Sequence, residues 1–577
     1  MKKVVKLVSI LLALMVFVVG CSADTEKKSE EKNTSKQDGS QYINLTMIKP
    51  TTINPILNND KSVSYVLNLV YDSLFEFDEN YNLQPKLVDS YNISSNNKSI
   101  DITLKDNIKW HNGQSLTASD VKYTYDLIKK NTDSSYYSLV SNISKISVNG
   151  SKNLTITFKD GYAFSLETLI FPIVSKDKLD NLKSDKLKLA SNNLIGNGAY
   201  KIKTYEDRNY MLLELNKDYY DLDKNNNKKE VYVKMVPDNE SQTEMVLSLD
   251  SDVSRVTLGS ISKFVDNDNF VINKYQGRNY DYVLFNYDNE YLKNIDIRKA
   301  ISFAVDRNSI IKDAYSNRAK LTNFPLNSTS VYYDNELKPL SYNIENADNY
   351  LKKAVLSLSK TDDNKEKDTT DDKDNTGEEK TEADDKATNN KENTSDKKDD
   401  KKDSKDSKKG RYFKDVTNSE VRALLKDVTF KIIVNKNNSE RVKAATIISN
   451  NLEAIGIKTE IKDLEDDEMT KALDKKDYDL ALIGCELPAV SDATYIIKQL
   501  GYDDKQLDKY LNALQNANSE DEIKSTYKTL QKYVKEKAIF ISFGILDDYV
   551  VLNGRLDGEL ICNDFNVYRG INTIKIK

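Results

Sequence analysis

The sequence predicts an α/β protein of two or three domains. Three observations predict it. Strand-like and helix-like segments alternate, most regularly from Phe430 onward. The chain is 577 residues long, more than one domain normally needs. A long tract without any large apolar residue interrupts it.

The elements follow in chain order. Residues 42–48 read as a strand and 51–60 as a loop around Pro55. Val66, Leu67, Val70, Leu74 and Phe75 lie at helical spacing and predict a helix over 62–75. Ile100, Ile102 and Leu104 alternate with polar residues, as one face of a strand does. Asn112-Gly113 marks a tight turn, because both residues tolerate positive φ. Thr117 and Asp120 form a capping box, which predicts a helix over 118–130. A pair of short strands is expected over 143–158, around Asn149-Gly150.

Gly196-Asn197-Gly198 predicts a sharp bend, followed by strands near 200–204, 211–215, 231–236 and 282–285. Ile297, Ala300, Ile301, Ala304 and Val305 predict a buried helix over 297–311. Strands at 430–434, 457–461, 478–483 and 539–551 then alternate with helices at 442–452, 507–514 and 523–534.

The N-terminus carries Lys2, Lys3 and Lys6 ahead of an almost wholly apolar run over 7–19. Thirteen helical residues rise about 20 Å, short of the ~30 Å hydrocarbon core, so a cleaved signal segment fits better than a membrane span. Val18-Val19-Gly20-Cys21 resembles a lipoprotein cleavage site, with Cys21 as the acylated residue. Residues 1–20 are then a signal peptide. Residues 21–40, polar after Cys21 apart from Ala23, form a disordered tether. Acyl chains contribute about 0.8 kcal/mol per buried CH₂, so several on one cysteine anchor durably. The expected location is outside the cytoplasmic membrane, attached through lipid.

Composition excludes several functions. The formal charge is -6 and becomes -9 without the three leader lysines, which disfavours nucleic acid as a partner. Beyond Cys21 there are only Cys485 and Cys562, too few for a disulfide scaffold. His111 is the single histidine, so a histidine-rich metal cluster is excluded, and no cofactor or catalytic constellation is evident. Residues 361–410 contain 18 acidic residues, 13 lysines and no Leu, Ile, Val or aromatic residue. Such a tract cannot offset the entropy of ordering and is expected to be a disordered insert without a calcium-loop pattern.

Six ordered motifs resemble one family. They are Tyr71-Asp72-Ser73-Leu74-Phe75-Glu76, the stretch 83–91, the run from Trp110 to Val121, Pro172-Ile173-Val174, Gly196-Asn197-Gly198-Ala199-Tyr200, and the run from Ile297 to Arg307. Together they resemble the solute-binding proteins, family 5, of oligopeptide, dipeptide and nickel ABC importers. The resemblance implies a two-lobed periplasmic-binding-protein-like α/β fold with an additional α/β domain in the first lobe. Residues 41–75, 186–283 and 541–577 would form the first-lobe domain, 76–185 its accessory domain and 284–540 the second lobe. The chain would cross between lobes near Asn286 and Ile541. Most motif residues would hold structure: Asn112-Gly113 a turn, His111 its flank, and Arg298 and Arg307 ion pairs with neighbours such as Asp296 and Asp306.

The resemblance also implies a ligand site. A peptide would pair its backbone with 58–61 and 483–485, a form of β-augmentation. Gly484 aligns with the family's glycine at the end of the central strand. Cys485 stands where a tryptophan is usual, and Pro488 where the aspartate that holds the peptide ammonium is usual. Glu486, or else Asp492, is the substitute carboxylate, with Asn58, Lys61, Arg278 and Tyr280 as further cleft residues. The implied partners are a peptide or other small solute, ABC permease subunits and the membrane. Three readings stand: peptide import, capture of a modified peptide, glycan or metal chelate, and a degenerate receptor used in signalling or as a chaperone.

Overall fold

In a computed structural model, residues 41–180, 194–222, 229–367 and 412–577 are described. The expected leader, Cys21, the tether and the insert from 368 onward lie outside them. The helix Ile344–Lys367 runs into the first positions assigned to that insert.

Eleven strands make one sheet. Its main path runs Lys458–Leu464, Thr429–Asn435, Leu480–Glu486, Phe270–Phe285, Ile541–Asn553, Val253–Val256, Tyr42–Ile48, Glu230–Val236, Tyr210–Leu215 and Tyr200–Glu206, with Ala319–Leu321 paired to Ile541–Asn553 off that path. Pairing is parallel where crossovers intervene, as for Tyr42–Ile48 with Glu230–Val236, and antiparallel along the long central pair. One half buries Ile43, Leu45, Val231 and Val233 in a core shared with the accessory domain. The other half buries Phe285, Phe430, Ile432 and Leu480 on one face, and Tyr280, Ile433 and Ala481 on the other.

The two halves share the long strands Phe270–Phe285 and Ile541–Asn553. Phe270 to Gln276 pair with Asn553 to Asp547, and Tyr280 to Val283 pair with Ile545 to Ile541. Register breaks between Gln276 and Tyr280. Along these strands the packing partners change between Tyr275 and Tyr280 and between Ile545 and Val550, which fall in different cores. Tyr280 and Tyr282 pack in a second-lobe core, as do Ile541 and Phe543. Strand periodicity says which face a residue takes, but not which half of a continuous sheet it joins.

The accessory domain is a four-stranded antiparallel sheet in the order Val88–Ile93, Ser99–Leu104, Asn153–Phe158, Ile143–Val148. Its helix Ala118–Lys130 starts at the predicted capping box, where the Thr117 amide donates to Asp120 Oδ2 at 2.9 Å. Asp120 Oδ1 also accepts from the Lys176 amide at 2.9 Å, which ties the cap to a second segment.

Two expected helices are shorter than their apolar pattern. The first spans only Lys61–Leu67. Beyond it the Leu69 and Val70 carbonyls accept from Tyr200 and Gly198 amides at 2.9 and 2.8 Å. A Cβ on Gly196 would lie 1.8 Å from the Val70 carbonyl oxygen, so the Gly-Asn-Gly motif allows this close approach. The second expected helix ends at Ala304, where Val305 is extended and Asp306 accepts from the Asn308 and Ser309 amides to start a new turn. A strong N-cap inside an apolar stripe outweighs the stripe's periodicity.

The motif residues hold structure. Partly buried His111 lies between Gly196 and Gly198, and desolvation pushes its pKa down to about 4. Arg298 and Arg307 do not pair with the expected carboxylates. Arg298 donates to the carbonyls of Leu292, Lys293, Lys537 and Ala538, satisfying helix-end groups. Arg307 donates to Asn323 Oδ1 and the Ser542 carbonyl.

Candidate functional site

A cavity of about 1150 Å³ lies between the halves of the sheet, bounded also by the accessory domain. The strand Leu480–Glu486 delivers Glu486 from the second lobe, the helix Lys61–Leu67 delivers Lys61 from the first, and the register break delivers Arg278. Asp564 completes a cluster from the C-terminal segment. Lys61 Nζ lies 2.9 Å from Glu486 and 3.1 Å from Asp564, and Arg278 lies 2.6 and 3.6 Å from the same two carboxylates.

Burial would raise the Glu486 carboxyl, but Arg278 and then Lys61 outweigh it and hold it below the ordinary carboxylate value. The Arg278 guanidinium also sits 4.4 Å from the centre of the Phe565 ring, which in turn stacks on Phe77 at 5.2 Å. The arrangement is a charge-balanced site with one half-exposed cation: the Lys61 side chain reaches solvent, whereas Asp564 is buried. A cationic ligand group can exchange with the Lys61 ammonium on Glu486 without leaving a buried carboxylate unpaired.

The remaining expected residues divide. Asp492 lines the cavity but accepts from the Tyr162 hydroxyl at 2.9 Å and Gln515 Nε2 at 3.2 Å. Asn58 is buried and donates to the Asp60 carbonyl and Ser64 Oγ, shaping the start of the Lys61 helix. Tyr280 is fully buried, its hydroxyl 2.6 Å from Ser542 Oγ, and does not reach the cavity. Cys485 packs beside the second-lobe core, and its thiol is pushed up to about 11 by burial and then by Asp281.

Gly484 serves a buried ion pair. Arg441 donates to both oxygens of Asp281 at 2.7 and 3.1 Å, and a Cβ on Gly484 would lie about 2.0 Å from Arg441 Nη2. The glycine that the resemblance places at the ligand is thus needed for strand packing. The 483–485 segment pairs along one edge with Ile483 to Cys485 opposite Tyr282 to Tyr280.

Two cavity residues carry no local sequence signal. Asp564 and Phe565 sit in the C-terminal segment without a motif, and only the fold brings them against Arg278. Asp72 is buried and accepts from the Tyr219 and Tyr220 hydroxyls at 2.9 Å each, and burial pushes its carboxyl up to about 6. Lys86 lies 3.3 Å from Glu76 and 3.5 Å from Asp221. Two adjacent tyrosines in a polar stretch gave no indication that they share one carboxylate.

Comparison with known proteins adds a family and a fold. A family model described as bacterial extracellular solute-binding proteins, family 5 Middle, matches residues 82–384. The oligopeptide-binding protein AppA of Bacillus subtilis is 24% identical over 367 residues, covering 61% of this chain and 66% of AppA. The nickel-binding protein NikA of Staphylococcus aureus is 30% identical over 297 residues, covering 50% of this chain and 57% of NikA. The chain thus spans between about half and two thirds of the length of these curated relatives. Among solved structures, the ABC transporter substrate-binding protein CtaP of Listeria monocytogenes superposes with a TM-score of 0.70 at 19% identity, covering 93% of this chain and 99% of CtaP. NikZ of Campylobacter jejuni, solved in complex with Ni(L-His), gives 0.61 at 23% identity, with 93% and 99% covered.

Proposed function

Since this chain belongs to the bacterial extracellular solute-binding proteins of family 5, we propose that it is the capture component of an ABC importer and that its cargo is peptide. It works outside the cytoplasmic membrane, held by lipid on Cys21, and presents its closed form to a permease. The observation that carries the peptide reading is the charge-balanced cluster of Lys61, Arg278, Glu486 and Asp564 in a cavity of about 1150 Å³. That volume exceeds the ~300–1,000 Å³ usual for a drug-sized ligand, and suits an extended chain better than a bare ion. Glu486 takes the peptide ammonium from Lys61. The freed Lys61 then faces backbone carbonyls or the ligand's own carboxylate.

A second reading has its own support, because the relative at 30% identity is named a nickel-binding protein. His111 is enclosed between glycines away from the cavity, so a metal would arrive inside its own organic chelator. Native mass spectrometry of protein purified without denaturation separates the two. A mixed population of small peptides supports peptide import, and one defined metal-containing mass overturns it. Calorimetry with short peptides then tests the residue: Glu486→Gln is expected to weaken binding about tenfold, and unchanged affinity removes Glu486 from the site.

A further inference from the structure

Residues 162–167 leave the accessory domain and enter the second lobe. They follow the strand Asn153–Phe158 and run into the short helical turn Leu166–Thr168. Phe164 is 2% exposed, and its neighbours are second-lobe residues: its ring lies 5.9 Å from Tyr332 and 6.4 Å from Tyr527, centre to centre. It is a member of the second-lobe core that also holds Tyr280, Phe324 and Leu511. Four hydrogen bonds surround this ring. The Tyr162 hydroxyl donates to Asp492 at 2.9 Å, and the Ala163 amide to the Gln515 carbonyl at 3.1 Å. The Ser491 amide donates to Glu167, and Asn97 Nδ2 to the Ala517 carbonyl at 2.6 Å.

These contacts also bound the ligand space. Gly161 and Tyr162 line the cavity from the accessory domain, and Asp492, Gln515 and Asn516 line it from the second lobe. The same residues that join the two bodies therefore form a continuous wall. A phenyl ring seated in another body's core is hidden from water only when the two bodies meet, so closure there has a driving force of its own, with no ligand required.

We propose that residues 162–167 form a strap that closes the accessory-domain side of the cavity and sets the longest ligand the closed receptor accepts. The length-setting part rests on the peptide reading above. The closing part does not.

Two measurements on the full-length protein test it. Nitroxides placed by Lys145→Cys in the accessory domain and Lys528→Cys in the second lobe report the distance between them by pulsed dipolar spectroscopy, without ligand. Calorimetry with neutral tri-, penta- and nonapeptides reports the length profile. The expected result is a short-distance population that Phe164→Ala removes and Tyr162→Phe reduces. Wild type should bind the nonapeptide about tenfold more weakly than the tripeptide, and both variants should narrow that gap. An unchanged distance distribution and length profile in both variants overturns the strap. If wild type binds none of the peptides while the variants still lose the short distance, the length-setting role falls with the peptide reading and the closing role stands.

Discussion

Where the sheet halves meet, four charged side chains line the junction; where the accessory domain meets the second lobe, a phenyl ring and four hydrogen bonds make it. At the first, two strands pass through both halves, so proximity is covalent and the cluster only tunes the geometry. At the second, no strand crosses, and contact must come from apolar burial. The difference teaches where a ligand can act. Charges already held close and partly hydrated exchange partners at little cost, which suits recognition. A buried ring and its enclosing bonds separate as a unit, which suits switching between open and closed.

The comparison can be broken in several ways. The largest effect is expected beneath the charged junction, at Arg441. Its partner Asp281 is 1% exposed and accepts also from the Tyr315 hydroxyl at 2.7 Å. Arg441→Ala leaves that carboxylate short of charge in the sheet and is expected to cost about 3–5 kcal/mol, read from the urea midpoint. A cost below about 1 kcal/mol would mean that the hinge strands do not depend on this pair.

A second test uses pH to act on the strap, with Glu167→Gln separating it from other titrating groups such as Asp72. Burial, with Asp492 adding to it, raises the Glu167 carboxyl to about 7 in the closed form, against the Ser491 amide bond that favours its ionised state. The other groups facing it are Tyr162, Tyr332 and Tyr527. A carboxyl raised on closing takes up a proton on closing. Its favourable contribution is complete below the ordinary carboxylate range and is lost as pH rises through about 7. The short-distance population should therefore fall between about pH 5 and pH 8 in wild type and stay flat in Glu167→Gln. An equal slope in both would place the titrating group elsewhere.

The smallest effect is a control on the accessory domain. Lys122 and Asp126 form an exposed helical pair at 2.5 Å, far in chemistry from either junction. Lys122→Ala should change stability by no more than about 0.5 kcal/mol in a urea titration and leave the distance distribution unaltered.

Much of the scaffold was legible in the residues. The alternation of Ile100, Ile102 and Leu104 placed all three inward, at 2% exposure or less. The capping box at Thr117 and Asp120 located its helix at the residue, because a cap is a local hydrogen-bond pattern. The helices over 62–75 and 297–311 were overextended, since an apolar stripe continues past a cap that the backbone does not follow. In the site, Lys61, Arg278, Glu486 and Asp492 do line one cavity, whereas Asn58 and Tyr280 are buried in support of it.

The sequence by itself determined the α/β class, the local caps and turns, and a chemistry free of histidine clusters, because these depend on residues close in the chain or on composition. Only the tertiary structure decided that Glu486 is shared between Lys61 and Arg278, that Gly484 makes room for Arg441, and that Phe164 belongs to the second lobe. Each of those joins residues tens to hundreds of positions apart, or bodies with no shared strand. Which charge meets which, and which side of an interface a ring fills, follows from packing that no local pattern encodes.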